Sequence, residues 1–340
     1  MKKLNLLLTS VGNLAMPMVA NEARKHFDCK ITGLDIRDDA HGLYFCDEKR
    51  ITKRSSDPGY GQEISSIYKE LDGDLLIPLS TTDQEFFSSR MNTFRQDQLI
   101  VVCSDENAVS LANHKTKLFR HLSSFINFIP QFIEINSEMD VESMIAGFEG
   151  KPFVIKQAKG TGGQGSFIVA GSREELNPND RQFFLPKGEW ISRVEKIKSD
   201  EERFIMEYLP GDEFSVDCLS LSGDLFYCVV RKRLKTQGGM ALVSEVIMDE
   251  EIQLLVKEII SNLKFSYINN IQFKRDANNH LKLIEINPRI PGTLQLSIDA
   301  GAPFIRDMIN LALGKEPMRD PPIKTGMKYY RYWSGIAVEP

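Results

Sequence analysis

Ile271-Gln272-Phe273-Lys274-Arg275, the turn Asp276-Ala277-Asn278-Asn279-His280, and Leu281-Lys282-Leu283-Ile284-Glu285-Ile286-Asn287-Pro288-Arg289 form the stretch that decides the fold. Two alternating apolar runs flank a cluster of turn-forming residues, the pattern of a β-hairpin. Asparagine tolerates positive φ, so Asn278-Asn279 reads as a two-residue type I′ turn. That turn sets residue 277 opposite 280, and therefore Gln272 opposite Glu285. Side chains alternate faces along a strand, so Asn287 emerges on the same side as Glu285. Three oxygen-bearing side chains thus converge on one patch of an otherwise apolar segment. Carboxylate and amide oxygens suit Mg²⁺, particularly where phosphate oxygens complete its shell.

Working outward, Lys159-Gly160-Thr161-Gly162-Gly163-Gln164-Gly165-Ser166 holds a Gly-x-Gly-x-x-Gly pattern. That pattern signals a dinucleotide only between a strand and a helix. Here strand-like Phe153–Lys156 precedes it and strand-like Phe167–Val169 follows, so the dinucleotide reading fails. A glycine-rich hairpin loop can instead fold over phosphates, because no side chain keeps its backbone N–H groups away. Lys156 ends the apolar strand before the loop. A lysine there is costly without an anion, and phosphate is the economical partner, with snorkelling to solvent as the alternative.

The rest of the chain sets bounds. Its 340 residues exceed what one compact core usually holds, so two or three domains are expected. Hydrophobic residues make up 42% and charged residues 26%, ordinary for a globular protein. A net charge of −5 offers no field for nucleic acid, and Arg231-Lys232-Arg233-Leu234-Lys235 is short enough to read as a local anion site. The five cysteines are scattered and the five histidines lack zinc-ligand spacing, which fits reduced thiols and a cytoplasmic location. The apolar run Leu4–Leu8 is too short for a secretory core and reads as a buried first strand. No apolar stretch approaches the ~20 residues of a membrane span.

Short apolar segments at Leu4–Leu8, Ile31–Ile36, Leu75–Pro78 and Leu99–Val102, with a helical pattern over 14–27, predict a parallel α/β domain. A polar stretch at Asp105-Glu106-Asn107 then precedes a helix-like run, Ala108–Ser123. Segment 172–203 is charged and weakly patterned, consistent with an exposed helix and loops. Strands are predicted at Phe204–Leu209, Phe214–Leu221 and Phe226–Arg233. Amphipathic stripes begin at Ile252 and Phe304, the second ending near Gly314 as C-cap.

Lys115, Lys156, the glycine loop, Glu207-Tyr208-Leu209-Pro210-Gly211-Asp212-Glu213 and the Gln272/Glu285/Asn287 set occur in an order that resembles the ATP-grasp superfamily over roughly residues 105–315. The Glu285-x-Asn287-Pro288-Arg289 version is most similar to the carbamoyl-phosphate-synthase-like branch of carboxylate–amine ligases. The resemblance implies an α/β fold, α+β in its C-terminal part: a Rossmann-like domain (1–107), a small lobe or lid with the glycine loop (108–206), and a large lobe with hinge and metal site (207–340).

It also implies roles. Lys115 (runner-up Lys117) and Lys156 would reach ATP phosphates beneath Gly162, Gly163, Gly165 and Ser166. Glu207, Tyr208 and Leu209 would form the hinge that reads adenine, and Glu213 would hold the ribose. Gln272, Glu285 and Asn287 would bind Mg²⁺, with Mn²⁺ as alternative ion. Arg289 would stabilise the transferring phosphoryl group. Arg231 or Arg233 would clamp a substrate carboxylate, an exposed basic turn being the alternative. Two departures stand out: His114 where relatives usually carry Asp, and Gln272 where many carry Asp or Glu. The implied activity is an ADP-forming carboxylate–amine or –thiol ligase, acting on small molecules and not on membranes, with a homodimer as the oligomer considered. Its alternatives are carbamate or bicarbonate phosphorylation, and nucleotide binding without turnover.

Overall fold

The structure, a computed structural model, describes residues 3–135, 145, 147–148, 150–160, 165–191 and 202–337. The chain begins with a parallel sheet of β1 (Leu4–Thr9), β2 (Cys29–Asp35), β3 (Glu48–Ile51) and β4 (Leu75–Pro78), in the order β3-β2-β1-β4. β1, β2 and β4 are buried on both faces by helices, among them α1 (Met16–His26), α2 (Tyr60–Glu70) and α3 (Thr81–Ser88), as continuous apolar runs require, whereas the edge strand β3 is partly exposed. The expected strand at Leu99–Val102 is reduced to a single parallel bridge, Leu76 to Val101. Gly12 opens the β1–α1 turn, and there its N–H donates to Asp35 at 2.7 Å. The chain's own carboxylate occupies that amide.

After α4 (Met91–Gln96), the helix expected over 108–123 is two, α5 (Glu106–Ala112) and α6 (Lys115–Leu122). Apolar spacing continues across the break, but His114 leaves helical geometry (ψ 93°) and bridges to Lys159. A tertiary contact overrides local propensity there. The second sheet runs β5-β9-β6-β7-β8, built from β5 (Phe132–Ile135), β6 (Phe153–Gln157), β7 (Phe167–Ala170), β8 (Phe184–Pro186) and β9 (Arg203–Glu207). Segment 172–203, expected to hold an exposed helix and loops, contributes β8, two short 3-10 turns and a helical start at Trp190 and Ile191 among its described residues; residues 192–201 lie outside them.

The third sheet is antiparallel and six-stranded, in the order β14-β13-β10-β11-β12-β15. Its members are β10 (Glu213–Leu221), β11 (Asp224–Gln237), β12 (Met240–Ile247), β13 (Tyr267–Arg275), β14 (Leu281–Asn287) and β15 (Lys328–Tyr330). The amphipathic helices Glu250–Leu263 and Phe304–Ala312 bury their stripes against it, and Gly314 follows the second with φ +72°. The core holding the first sheet is continuous with the face of the third that carries Leu219, Tyr227 and Ile268, so these units are packed together. Among the described residues no helix is long and apolar enough to cross a membrane.

The β13–β14 hairpin corrects the predicted turn. Asp276 N–H donates to His280 O, and only Asn279 of the tip residues 277–279 has positive φ (+66°), whereas a type I′ turn needs two. The tip is therefore a three-residue loop, held by Asp276 Oδ1 accepting from Asn278 and His280 N–H. The register near the tip pairs Phe273 with Leu283, one residue off the prediction. A β-bulge between Gln272 and Phe273 then restores Gln272 opposite Glu285. Two single-residue differences cancel before the predicted patch is reached.

Candidate active site

The second and third sheets meet at the chain turn 207–213, and a crevice opens between them. Val154, Ile168, Met206, Leu209 and Ile284 give it apolar walls. Lys156, Ser166, Glu213, Gln272 and Glu285 bring polar groups to it. A second crevice adjoins the first and shares Arg233, Gly239, Gln272 and Glu285 with it. Asn287, Arg289, Thr293 and Arg331 line its far side, together with Asn13 from the first domain.

Glu285 sits at the junction. Asn287 Nδ2 donates to its Oε1 at 3.1 Å, and Lys115 Nζ lies 3.7 Å from its Oε2. Burial opposes its charge, but Lys115, the Asn287 amide, Lys156 and Arg233 outweigh burial and hold the carboxyl below its ordinary value. Gln272 Oε1 accepts from Arg233 Nη1 at 3.2 Å, and Arg233 also pairs with Glu213 and donates to Gly239 O. An ionised carboxylate flanked by two amide side chains is an oxygen donor set that fits a hard dication, with room for one such carboxylate-bound ion.

The cations surround this group. Lys115 Nζ donates to Gly160 O at 2.8 Å, and Arg203 Nη1 donates to Gly165 O at 2.9 Å, so both described ends of the glycine loop are strapped. Gly165 has φ +68°, and a Cβ there would sit 3.2 Å from the Gln157 side chain; glycine meets both demands. Gly162 and Gly163 lie outside the described residues. Lys156 has no hydrogen-bond or ion-pair partner among the described residues. Burial lowers its pKa from 10.5 to about 8, against the opposing pull of Glu285. His114 caps α6 as an aspartate would: its ring nitrogen faces Lys117 N at 3.5 Å, and its other nitrogen pairs with Glu202. Lys117 lines a separate surface cavity, away from Glu285.

Two of the expected side chains lie away from the crevices. Glu207 turns from the crevice and accepts from Gln131 N–H at 2.9 Å, leaving the backbone of Tyr208 and Leu209 at its edge. Arg231 is 1% exposed and lines neither crevice. It donates to Asp217 at 2.8 Å, and Asp217 also accepts from Asn270 and Ser297 at 2.7 and 2.6 Å. Its expected substrate contact is therefore corrected: the guanidinium is consumed beneath the floor of the second crevice. Arg289 does line that crevice and donates to Thr81 Oγ1 at 3.2 Å, linking it to α3.

Sequence reading missed Arg331, Asn13, Asp180 and Lys274. For Lys274 a signal existed: Asn270, Gln272 and Lys274 recur at spacing two, one polar face of a strand. The family profile described as ATP-grasp in the biosynthetic pathway with Ter operon matches residues 199–333, the span carrying the third sheet and the wall common to both crevices. Over that span, residues 199–333, the sequence is similar to the ATP-grasp family. The fold is likewise that of solved ATP-grasp structures. N5-carboxyaminoimidazole synthetase from Staphylococcus aureus, complexed with ADP, superposes with TM-score 0.72 at 18% identity over 95% of this chain and 81% of that one. The biotin carboxylase domain of Hydrogenobacter thermophilus 2-oxoglutarate carboxylase, complexed with MgADP, ADP and bicarbonate, gives 0.72 at 15% over 96% and 74%. L-amino acid ligase from Bacillus licheniformis gives 0.67 at 17% over 94% and 76%. No curated protein matches the sequence.

Proposed function

We propose that this ATP-grasp protein is an ADP-forming ligase that activates a small carboxylate as its acyl phosphate for attack by an amine or another nucleophile. The observation that carries this reading is the pair of crevices with one common wall of Arg233, Gln272 and Glu285. A nucleotide in the first crevice directs its terminal phosphate at a substrate in the second. In this reading the three sheets correspond to the units 1–107, 108–206 and 207–340, and the protein works in the cytoplasm on small molecules, with a homodimer as its candidate assembly.

ATP enters the first crevice with its base between the apolar walls and its phosphates toward Lys115, Lys156 and Ser166. Gln272, Glu285 and Asn287 hold Mg²⁺, or Mn²⁺ in its place, which neutralises phosphate charge when bound. Arg289 faces the junction from the other crevice. A substrate carboxylate oxygen attacks the γ-phosphorus, ADP leaves, and the amine then displaces phosphate from the acyl carbon. Catalysis here is placement of fixed charge in a water-poor site, with no covalent nucleophile from the chain. Arg331, not Arg231, supplies the second guanidinium of the substrate side.

Incubation with Mg-ATP and pooled amino acids and small carboxylates, beside Glu285→Gln, tests the proposal. Pool-dependent ADP and phosphate release, lost in the variant, is expected; ATP binding with no release under any pool contradicts it. A second reading, bicarbonate phosphorylation, draws support from the fold shared with a biotin carboxylase domain that holds bicarbonate. ADP release that requires bicarbonate and no organic acid would favour that reading.

A further inference from the structure

Within the apolar part of the first crevice sits one polar cluster that the proposed chemistry leaves unused. Lys274 Nζ donates to Asp180 Oδ2 at 2.6 Å, and the Tyr208 hydroxyl donates to the same oxygen at 2.9 Å. The tyrosine oxygen in turn accepts from Asn177 N–H at 2.8 Å, which fixes the direction of its proton. The three residues come from three places: a 3-10 turn of the second sheet's β7–β8 connection, the hinge, and β13. All three line the crevice, and Asp180 and Lys274 are buried.

Burying a lysine and an aspartate in an apolar slot is costly, and replacing such a pair by hydrophobic residues is often neutral or stabilising. Packing alone gives no reason for it. The hydrogen-bond count supplies one. Both donors converge on Oδ2, so Oδ1 has no partner among the described residues. The Lys274 ammonium carries three hydrogens and spends one on Asp180. One acceptor and one donor therefore stand side by side, held by a tyrosine whose hydroxyl burial keeps protonated. Around them, Val154, Ile168 and Ile284 form walls suited to a flat ring.

We propose that Asp180 and Lys274, oriented by Tyr208, read the polar edge of the purine and select adenine over 6-oxopurines. The inference rests on the ATP reading above and deepens it. Asp180 Oδ1 accepts a hydrogen from the 6-amino group, and Lys274 donates to the adjacent ring nitrogen. Hypoxanthine or guanine would set the O6 lone pairs against the Asp180 carboxylate, and its ring N–H against the ammonium. A site built around a polar partner rejects an analogue that leaves it unpaired far better than an apolar slot can.

The test measures binding of ATP and ITP to the full chain with Mg²⁺ by calorimetry, in wild type, Asp180→Asn and Tyr208→Phe. Wild type is expected to bind ATP at least about tenfold tighter than ITP, the worth of one charge-assisted hydrogen bond. Asp180→Asn should bring that ratio toward one, because a rotated amide can donate to O6. Tyr208→Phe should lower it partway by freeing the carboxylate. Wild-type protein that binds no nucleotide refutes the ATP reading itself. Wild-type binding of ATP and ITP with equal affinity overturns base selection alone, as does a ratio unchanged in Asp180→Asn. Should Asp180→Asn fail to fold, an unchanged ratio in Tyr208→Phe is decisive against the proposal.

Discussion

Lys156 allows ATP binding to be predicted as a function of pH. Burial places its pKa at about 8 in the nucleotide-free chain, against 10.5 for an unburied lysine. The ammonium is then about nine-tenths populated at pH 7, half at pH 8 and about one-tenth at pH 9. A phosphate beside it favours the charged form and restores the pKa, so binding above pH 8 must take up a proton. If only the protonated form binds, ATP affinity falls about tenfold between pH 7 and 9, with uptake of about half a proton at pH 8. Calorimetry in buffers of different ionisation enthalpy measures both quantities. Lys156→Arg should flatten the profile while keeping affinity, since arginine stays charged throughout. Glu285→Gln should move the midpoint lower, because Glu285 is the main group raising the lysine pKa. The same shift acts on folding with a definite sign. Between about 8 and 10.5 the unfolded chain holds a proton that the folded chain lacks, so apoprotein stability rises with pH across that window and falls back as pH drops through 8. Zero proton uptake at pH 8 to 9, with flat affinity, would refute a Lys156 of depressed pKa that meets a phosphate in the crevice.

Other outcomes are expected. Glu285→Gln should cut ADP release by roughly two orders of magnitude or more while the melting temperature changes little, read by a coupled ADP assay beside thermal denaturation. Lys115→Ala should weaken ATP binding about tenfold, whereas Lys117→Ala should leave it near wild type; equal effects in calorimetry would contradict the placement of Lys117 in a separate cavity. Arg231→Met should destabilise the fold by about 3–5 kcal/mol, because Asp217 would stay buried without its guanidinium partner; urea denaturation reads this directly. Arg331→Ala should instead spare stability and raise the KM for the activated acid more than the KM for ATP.

Much of the fold was legible because its units have different periods: short apolar runs alternating with helical stripes in the first domain, then long alternating strands. The metal-type patch was legible for a less secure reason. The predicted turn and the observed bulge differ by one residue in opposite directions, so the pairing of Gln272 with Glu285 came out right on a wrong tip. The break between α5 and α6 was illegible because apolar spacing runs unbroken through it, and only the pairing of His114 with Lys159 creates it. Arg231 and Arg233 looked equivalent, two positions apart on one strand face. Asp217 and Ser297, distant in sequence, decide that one is buried and the other reaches the crevices. Arg331 carried no local signal at all, since its partners Gly292 and Met240 lie 39 and 91 positions away.

The wall common to the two crevices bears on how such a chain can diversify. Arg233, Gln272 and Glu285 face both occupants, so a change at any of them alters two affinities at once and their effects will not add. Descendants that acquire a new acid substrate must vary elsewhere, at positions such as Asn13, Met240, Thr293 and Arg331, which touch only the second crevice. These positions come from the first domain, the β11–β12 hairpin and the segments after β14, none of which carries the nucleotide's apolar walls. Substrate range can therefore drift on peripheral segments while the phosphate-handling centre stays under constraint from both sides.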